Sequence, residues 1–303
     1  MTSVAPTTTA VRSRERVRSA IPWWAKLAVK LAIARLPVHY TVARSLALAK
    51  HGGMDRPAWA YKTFRQHFDN ADFHAKTGGF TLLEMGPGDS LFSALIAKSL
   101  GASAVWLVDV DSFANLDVNL YRRMTQFLAE QGLTPPDLSA ATSIDDVLTA
   151  CSAHYLTNGL ASWRQIASGS MDFIFSNTVL QHIARPEVEQ TLAELRRVIH
   201  PQGCALHAID FRDMMGQSLH HLRFSQALWE SRWFRNSGCY TNRFRLPEML
   251  TMIQSAGFDV VSINVDQWSE LPIPRSQLAM PYREMSDEYL LPKTARLELR
   301  PLS

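Results

Sequence analysis

The stretch TLLEMGPGDS, residues 81–90, constrains the fold of this chain more than any other. An apolar run ends in Glu84, turns through two glycines and continues into an apolar segment, residues 91–100, with helical character. This pattern predicts a strand, a tight loop and a helix, and the glycines let the loop backbone approach a ligand closely. A second apolar run, residues 104–108, ends in Asp109. An acid at the end of the second strand is where an α/β sheet binds ribose hydroxyls, so the pattern predicts a nucleoside site.

The loop also indicates which kind of nucleoside fits. A dinucleotide site needs a third glycine where this chain has Leu91, and Pro87 lacks an N–H that could meet a phosphate. The Gly-Lys-Ser/Thr sequence of a phosphate-binding loop is absent. Glu84 before the first glycine suits a cationic ligand. S-Adenosylmethionine fits these requirements, because it carries an ammonium and a sulfonium but no phosphate.

Four segments in order make a more specific signal. They are EMGPG (84–88), VDVD (108–111), MDFIFSNTVLQH (171–182) and the segment 187–203 that ends RRVIHPQG. Together they resemble the class I S-adenosylmethionine-dependent methyltransferases, of small-molecule, glycan or secondary-metabolite type. Ser90 stands where the family usually has another glycine.

The resemblance implies S-adenosylmethionine as cofactor and gives roles to the motif residues. Glu84 is expected to position the methionine ammonium, and Asp109 to accept the ribose hydroxyls. Val110 and Asp111 are expected to edge the adenine, and Asn158 to meet its amino group. The remaining residues expected at the cofactor are Gly86, Pro87, Gly88, Ser176 and Asn177.

Alternating strand and helix patterns predict an α/β fold with a doubly wound, mainly parallel, seven-stranded Rossmann-like sheet. Strands are predicted at 81–84, 104–109, 154–157, 171–176, 204–209, 258–265 and 295–300. Helices are predicted at 21–50, 56–69, 90–100, 113–131, 160–167, 186–199 and 246–256.

The expected domain organisation has three parts. Residues 1–20 are predicted to be a disordered basic tail, 21–75 a helical N-terminal cap and 76–303 the cofactor-binding domain. Segments 211–245 and 266–293 exceed a minimal sheet. Ligands bind beyond the carboxyl ends of the strands, so these two insertions are expected to roof the substrate site.

Charge and cysteine usage narrow the partners and the compartment. A net charge of +3 is too small to indicate binding to nucleic acid. The three cysteines, Cys151, Cys204 and Cys239, lack the spacing of metal ligands. Such a sparse set predicts a cytoplasmic protein with reduced thiols. Residues 1–50 hold nine Lys or Arg against one acid. Residues 21–36 combine Trp23 and Trp24 with cations at helical spacing. Two alternatives stay open for this helix, packing on the catalytic domain or peripheral contact with an anionic membrane.

Candidate catalytic residues follow the predicted strands. His182 is expected to act as a base or substrate clamp, and His207, Asp210 and His221 are further candidates. Arg223, Asn242 and Arg243 are expected to bind a sugar or carboxylate. These residues and the family resemblance predict O-methylation of a small or medium sugar-containing or secondary-metabolite acceptor.

Several alternatives are weighed against this function. They are an N-methyltransferase acting on a small molecule and a non-catalytic protein that binds S-adenosylmethionine at a membrane surface. Methyltransferases acting on planar bases typically carry Asn/Asp-Pro-Pro-Tyr/Phe after strand four, whereas this chain has SNTV at 176–179. A divalent metal bound by Asp109, Asp111 and Asp210 is less favoured, and no metal is expected.

Overall fold

The structure is a computed structural model that describes residues 22–35, 53–73 and 79–302. The described helices are α1 (Trp23–Ile33), α2 (Pro57–Phe68), α3 (Phe92–Ser99), α4 (Val118–Glu130), α5 (Ile144–Ala150), α6 (Arg185–Val198), α7 (Gln226–Trp229), α8 (Arg232–Arg235), α9 (Leu246–Ser255) and α10 (Asp287–Leu290). The strands are β1 (Phe80–Met85), β2 (Ala102–Val108), β3 (Ala153–Leu156), β4 (Met171–Asn177), β5 (Ile199–Asp210), β6 (Phe258–Gln267) and β7 (Pro292–Pro301). 3₁₀ helices occur at Gly159–Gln165, Leu180–His182, His220–Arg223, Arg275–Gln277 and Tyr282–Glu284.

The seven strands form one sheet in the order β3-β2-β1-β4-β5-β7-β6. Neighbours from β3 to β5 pair in parallel, whereas β7 is antiparallel to both β5 and β6. The predicted mainly parallel, doubly wound sheet is therefore confirmed. The strand order reverses between β1 and β4, and the carboxyl ends of these strands border the crevice in which such sheets bind ligands.

Each face of the sheet carries its own apolar core. One core packs β1 and β2 side chains such as Leu82 and Leu107 with helices α2 to α4, and includes Phe64 and Phe92. The other core packs Leu83 and the opposite strand faces with α6 and α9. Burial on both faces explains why β1 and β4 read as nearly continuous apolar runs in the sequence.

Some elements differ from the sequence predictions. Helix α4 begins at Val118, not at 113, because the Asp117 carboxylate caps it by accepting from the Asn119 N–H at 3.0 Å. The unpredicted helix α5 begins with a capping box of Ser143 and Asp146. The predicted helix 160–167 is a 3₁₀ helix. The predicted strand 204–209 extends back to Ile199, across a register shift beside Met171.

The N-terminal helix α1 and the two insertions pack together, and these segments are called the cap below. Leu27 of α1 packs with Met215, Trp229 and Phe234 of the first insertion. The second insertion is joined through a cluster that contains Leu222 and Tyr282. The described part of the predicted helix 21–50 ends at Ile33, and the predicted tail 1–20 lies outside the described residues.

Two further features concern compartment and chemistry. Within the described ranges, no helix combines the length and the apolar character needed to cross a bilayer. Cys151, Cys204 and Cys239 are buried free thiols.

Candidate functional site

The loop after β1 lies at the point where the strand order reverses. Gly86 and Gly88 adopt φ of +73° and +66°, a region that strongly favours glycine. The Gly86 N–H donates to the Val108 carbonyl at 2.8 Å, which joins the loop to β2. A Cβ on Gly86 would lie 2.5 Å from Cγ2 of Val179, so a side chain would force the loop and the segment after β4 apart. The positive φ angles and the close approach of Val179 explain why the loop carries glycine.

Glu84 is the buried acid of this loop. Its side chain is 2% exposed and accepts a hydrogen bond from the Ser93 side chain, while Oε2 is buried without a hydrogen-bond partner. Burial first, and the nearby Asp109 carboxylate next, raise the pKa of Glu84 to about 8. An unpartnered buried carboxyl oxygen costs free energy that a cationic ligand would offset. Glu84 therefore fits the ammonium of S-adenosylmethionine.

Asp109 follows β2 directly and is 8% exposed. Its Oδ2 accepts from the Gly88 N–H at 3.1 Å and its Oδ1 accepts from the Val110 N–H at 2.8 Å. Burial raises the pKa of Asp109 to about 6 despite these hydrogen bonds. Each carboxylate oxygen keeps a further lone pair, so the group can hold the glycine loop and also accept from ribose hydroxyls.

The residues expected at the adenine lie at the rim of the crevice. Val110 is 71% exposed, and Oδ1 of Asp111 accepts from the Ser112 N–H at 2.7 Å. The Gly159 N–H donates to the Asp109 carbonyl at 2.9 Å, which places the exposed Asn158 next to the end of β2. The structure thus brings Val110 and Asn158 to the same edge as Asp109.

Ser176 and Asn177 end β4 beside the loop, with Ser176 in register with Met85. The Ser176 hydroxyl is buried and lies 2.7 Å from Nδ1 of His207, so this hydroxyl is hydrogen-bonded to the imidazole of β5. The Asn177 side chain hydrogen-bonds the buried ring of His67 on α2. His67 carries no motif, and sequence reasoning missed it because only the packing of α2 on the sheet brings it to this strand end.

His207 is 1% exposed, and its Nε2 is buried without a hydrogen-bond partner. Burial lowers the pKa of His207 to about 3, and the neighbouring His67 adds to this shift. Such a ring stays neutral and accepts protons poorly near neutral pH. Catalysis by His207 stays a prediction, but this environment weighs against it as a base.

His182 closes the 3₁₀ turn after β4 and is exposed. Its Nδ1 lies 2.8 Å from the Tyr240 carbonyl oxygen of the cap. A carbonyl can only accept, so Nδ1 carries the proton and the lone pair of the neutral ring is on Nε2. The geometry fixes the tautomer that a general base requires.

Asp210 and His221 are each held by their surroundings. The Arg212 guanidinium binds both oxygens of Asp210, at 2.9 and 2.7 Å. His221 is 1% exposed, and burial, reinforced by Arg245 and Arg243, holds its pKa well below the usual range. Their predicted catalytic roles remain predictions, and burial weighs against proton acceptance by His221.

The predicted substrate residues hold the cap together. The buried Asn242 donates from Nδ2 to the Leu180 carbonyl at 2.7 Å, and buried Arg243 donates to the Phe224 carbonyl at 2.7 Å. Half-buried Arg223 donates to Gln277 and lies 5.0 Å from the centre of the Trp23 ring. Of these three, only Arg223 keeps exposed surface for an acceptor.

Arg245 is a buried cation that sequence reasoning passed over. Its guanidinium donates to four main-chain carbonyls, those of Tyr289, Phe211, Leu290 and Pro292. Burial lowers the pKa of Arg245 to about 10. Nothing local in the sequence distinguishes it from the neighbouring Arg243, because its partners come from segments distant along the chain.

Metal ions in proteins are usually held by several His, Cys, Asp or Glu side chains. Among the residues that the structure describes, no group of three or more of these side chains is placed to hold an ion. Asp210, one of three acids considered for this role, is paired with Arg212.

Comparison with known proteins identifies the domain. Residues 83–206 match a family model described as a methyltransferase domain. No curated protein matches the chain in sequence.

Solved structures of similar fold have low sequence identity to this chain. One is an S-adenosylmethionine-dependent methyltransferase from Mesorhizobium loti, with 14% identity over 82% of this chain and 100% of that chain, and a TM-score of 0.43. A second is phosphoethanolamine N-methyltransferase 2 from Haemonchus contortus, with 13% identity over 94% of this chain and 61% of that chain, and a TM-score of 0.46. A third is an arsenic(III) S-adenosylmethionine methyltransferase from Chlamydomonas reinhardtii, with 14% identity over 79% and 73% of the chains and a TM-score of 0.43.

The matched segment contains β1 to β4 and most of β5, and therefore the glycine loop, Glu84 and Asp109. The chain carries a methyltransferase domain over residues 83–206, and S-adenosylmethionine is its methyl donor.

Proposed function

We propose that this enzyme transfers a methyl group to a hydroxyl of a small or medium acceptor, of sugar-containing or secondary-metabolite type. The observation that carries the proposal is His182, whose Nδ1 is engaged by the Tyr240 carbonyl at 2.8 Å on the loop that follows β4. A hydroxyl nucleophile must lose its proton during the transfer, and an imidazole with its lone pair on Nε2 can accept it. The SNTV sequence at 176–179 supports a small acceptor over a planar base.

The donor site is proposed to work through two carboxyl groups. Glu84 would hold the methionine ammonium through Oε2, and Asp109 would accept from the ribose hydroxyls. S-Adenosylmethionine supplies a methyl group on a sulfonium, whose sulfur leaves as a neutral thioether. Gly86 and Gly88 keep the loop bare of side chains, which orients the donor without obstructing it.

His182 is proposed to complete the proton balance of the transfer. The acceptor O–H bond breaks, its proton passes to Nε2 of His182, and the oxygen forms the new bond to the methyl carbon. The Tyr240 carbonyl stabilises the resulting imidazolium through Nδ1–H. Because Tyr240 belongs to the first insertion, the cap orients the base.

The cap is proposed to supply the acceptor contacts. Segments 211–245 and 266–293 meet through Arg223 and Gln277. Arg223 can bind an acceptor hydroxyl or carboxylate at this junction, while Asn242 and Arg243 support the loops around it. The proposal uses the predicted domain organisation, with a tail that ends at residue 20, an N-terminal cap that ends at residue 75 and insertions at 211–245 and 266–293.

Two variants test the donor site and the base separately. Asp109→Asn is expected to weaken S-adenosylmethionine binding about a hundredfold by calorimetry, because two hydrogen bonds to a charged group are lost. Glu130→Gln, at an exposed acid that is the last residue of α4 and has no proposed role in the site, is the control and is expected to change affinity little. Unchanged binding by Asp109→Asn would remove the ribose assignment.

His182→Ala is expected to keep donor affinity but to lower turnover about 10²–10⁴-fold against a panel of hydroxylated acceptors with labelled donor. His182→Gln, which keeps a polar side chain without a base, should be equally slow. Normal turnover in either variant contradicts the base assignment. If the product is a methylated amine, the enzyme is an N-methyltransferase and not an O-methyltransferase. The proposed donor site would be unaffected by that result.

A further inference from the structure

The outward face of α1 is apolar, unlike that of an ordinary surface helix. The residues of α1 that are exposed are Trp24, Ala28, Val29 and Ala32, and at about 100° per residue they form one continuous stripe along the helix. Trp24 is 61% exposed and Val29 is 56% exposed. An exposed helix face normally carries charged side chains, and this one carries none.

The inner face of α1 already has its partner. Leu27 is buried in the cluster of Trp229 and Phe234, and the Trp23 ring stacks on His220 with centroids 4.7 Å apart. Trp23 is therefore turned into the cap, and only Trp24 of the tryptophan pair points outward. The apolar outer face of α1 therefore stays exposed to solvent although its inner face is packed.

Cations surround the end of this face. The Arg35 guanidinium lies 3.4 Å from the centre of the Trp233 ring on α8, and Trp233 is 64% exposed. Arg232 and Arg235 on the same short helix are exposed. Across the described ranges, none of these three arginines forms an ion pair with a carboxylate.

We propose that this surface docks the enzyme on an anionic lipid membrane. The cap-edge patch is defined as Trp24, Ala28, Val29, Ala32, Arg35, Arg232, Trp233 and Arg235. Its apolar residues would enter the interface between headgroups and acyl chains, where indole rings are favoured. Its arginines meet lipid phosphate and carboxylate groups, and charge complementarity decides for a lipid surface over a second copy of this cationic face.

The proposal goes beyond the proposed function, since it concerns where the enzyme works rather than which bond it forms. The patch lies on the same cap segment that holds His182 through Tyr240, so docking would bring the acceptor side of the enzyme toward the membrane.

Co-flotation of the full chain with vesicles tests the proposal. We expect binding to phosphatidylcholine vesicles that contain phosphatidylserine, weaker binding to phosphatidylcholine alone, and a loss of binding as salt is added. Trp24→Ser is expected to weaken binding about tenfold, because an indole is removed from the interface. Arg232→Gln combined with Arg235→Gln is expected to weaken it about 30-fold, because each cation contributes about fivefold.

The chain offers a matched control in Trp59, a tryptophan on α2 that is 45% exposed and lies outside the patch. Trp59→Ser should bind vesicles like the wild type. S-Adenosylmethionine calorimetry on every variant confirms that the fold is intact and keeps failure of docking distinct from failure of the proposed function.

Three outcomes would overturn the docking proposal. The first is absence of flotation with anionic vesicles, and the second is equal loss in Trp24→Ser and Trp59→Ser. The third is a change of sedimentation in Trp24→Ser without any effect on vesicles, which would assign the patch to a contact between two copies of the chain.

Discussion

The cofactor crevice and the cap both bury ionisable side chains, carboxyl groups in the crevice and guanidinium groups in the cap. The crevice buries Glu84 and Asp109, and neither forms an ion pair with a Lys or Arg among the residues that the structure describes. The cap buries Arg243 and Arg245, and within the same ranges neither is paired with a carboxylate. Burial opposes charge in both regions, raising the pKa of both acids and lowering that of both arginines.

What separates Glu84 in the crevice from Arg245 in the cap is hydrogen bonding. The Arg245 guanidinium donates to four main-chain carbonyls, so its charge is spread over fixed dipoles and the group joins three segments. Glu84 keeps Oε2 without any partner, in a crevice at the ends of parallel strands. The complete hydrogen bonding of Arg245 fits a structural role, whereas the unpartnered oxygen of Glu84 at a strand end fits a ligand site.

The largest expected effect tests the structural half of this comparison. Arg245→Met is expected to lower the free energy of unfolding by about 3–5 kcal/mol, because buried carbonyls lose their donors. Urea denaturation measures the loss, and the donor affinity of the folded fraction should be unchanged.

Arg196→Met is the matched control, since Arg196 also donates to two carbonyls but is only half-buried. We expect a cost of about 1 kcal/mol there. Equal costs in the two variants would mean that completed hydrogen bonding does not distinguish Arg245.

The next effect tests the ligand half. With a pKa of about 8, Glu84 must release a proton to bind an ammonium, so donor affinity is expected to rise about tenfold per pH unit as pH approaches 8. Proton release, seen by calorimetry in buffers of different ionisation enthalpy, should accompany binding. Glu84→Gln should bind the donor weakly and without this slope.

The same variant has a signature in the ligand-free protein. The folded pKa of about 8 exceeds the ordinary value of 4.5, so stability is lost as pH rises between these values. Glu84→Gln removes this loss and is expected to melt higher than the wild type near pH 8. A lower melting temperature at every pH would make Glu84 a structural residue like Arg245.

The smallest expected effect is the pH dependence of stability that comes from His67 and His207, two histidines buried at β4 and β5. Their folded pKa values are about 4 and about 3, both below the ordinary 6.5, so both are neutral in the fold. Stability that is present above pH 6.5 is lost as pH falls, by about 2 kcal/mol for each ring near pH 5.

Replacing either histidine with glutamine should reduce the decrease in the free energy of unfolding at low pH, called the acid limb here. Denaturant titration at several pH values measures this decrease. The control is His154→Gln, at an exposed histidine, which should leave the limb unchanged. An acid limb that neither His67→Gln nor His207→Gln alters would show that these rings do not resist protonation.

The donor half of the site could be predicted because its signals are local. The turn from Glu84 to Gly88 and the acid at 109 lie within one strand–loop–helix–strand unit, and their spacing alone aligns them at one sheet edge. Ser143 and Asp146 carried an equally local signal for α5 that the sequence analysis missed. The antiparallel β7 could be placed as a strand, but its direction depends on pairing with β5.

The acceptor half could not be predicted in the same way. Arg223, Asn242 and Arg243 have similar polar surroundings in sequence, yet burial and carbonyl contacts make Asn242 and Arg243 supports of the cap. His67 and Asn177 are far apart along the chain and meet only when α2 packs on the sheet.

The sequence by itself determined the sheet, the glycine loop and the positions of Glu84 and Asp109 at the strand ends, because short-range periodicity and turn chemistry encode them. The tertiary structure alone decided which buried charges are satisfied, which tautomer His182 adopts and which face of α1 stays uncovered. These properties depend on the approach of segments distant along the chain, and the free energy of a buried polar group depends on whether that approach supplies its partner.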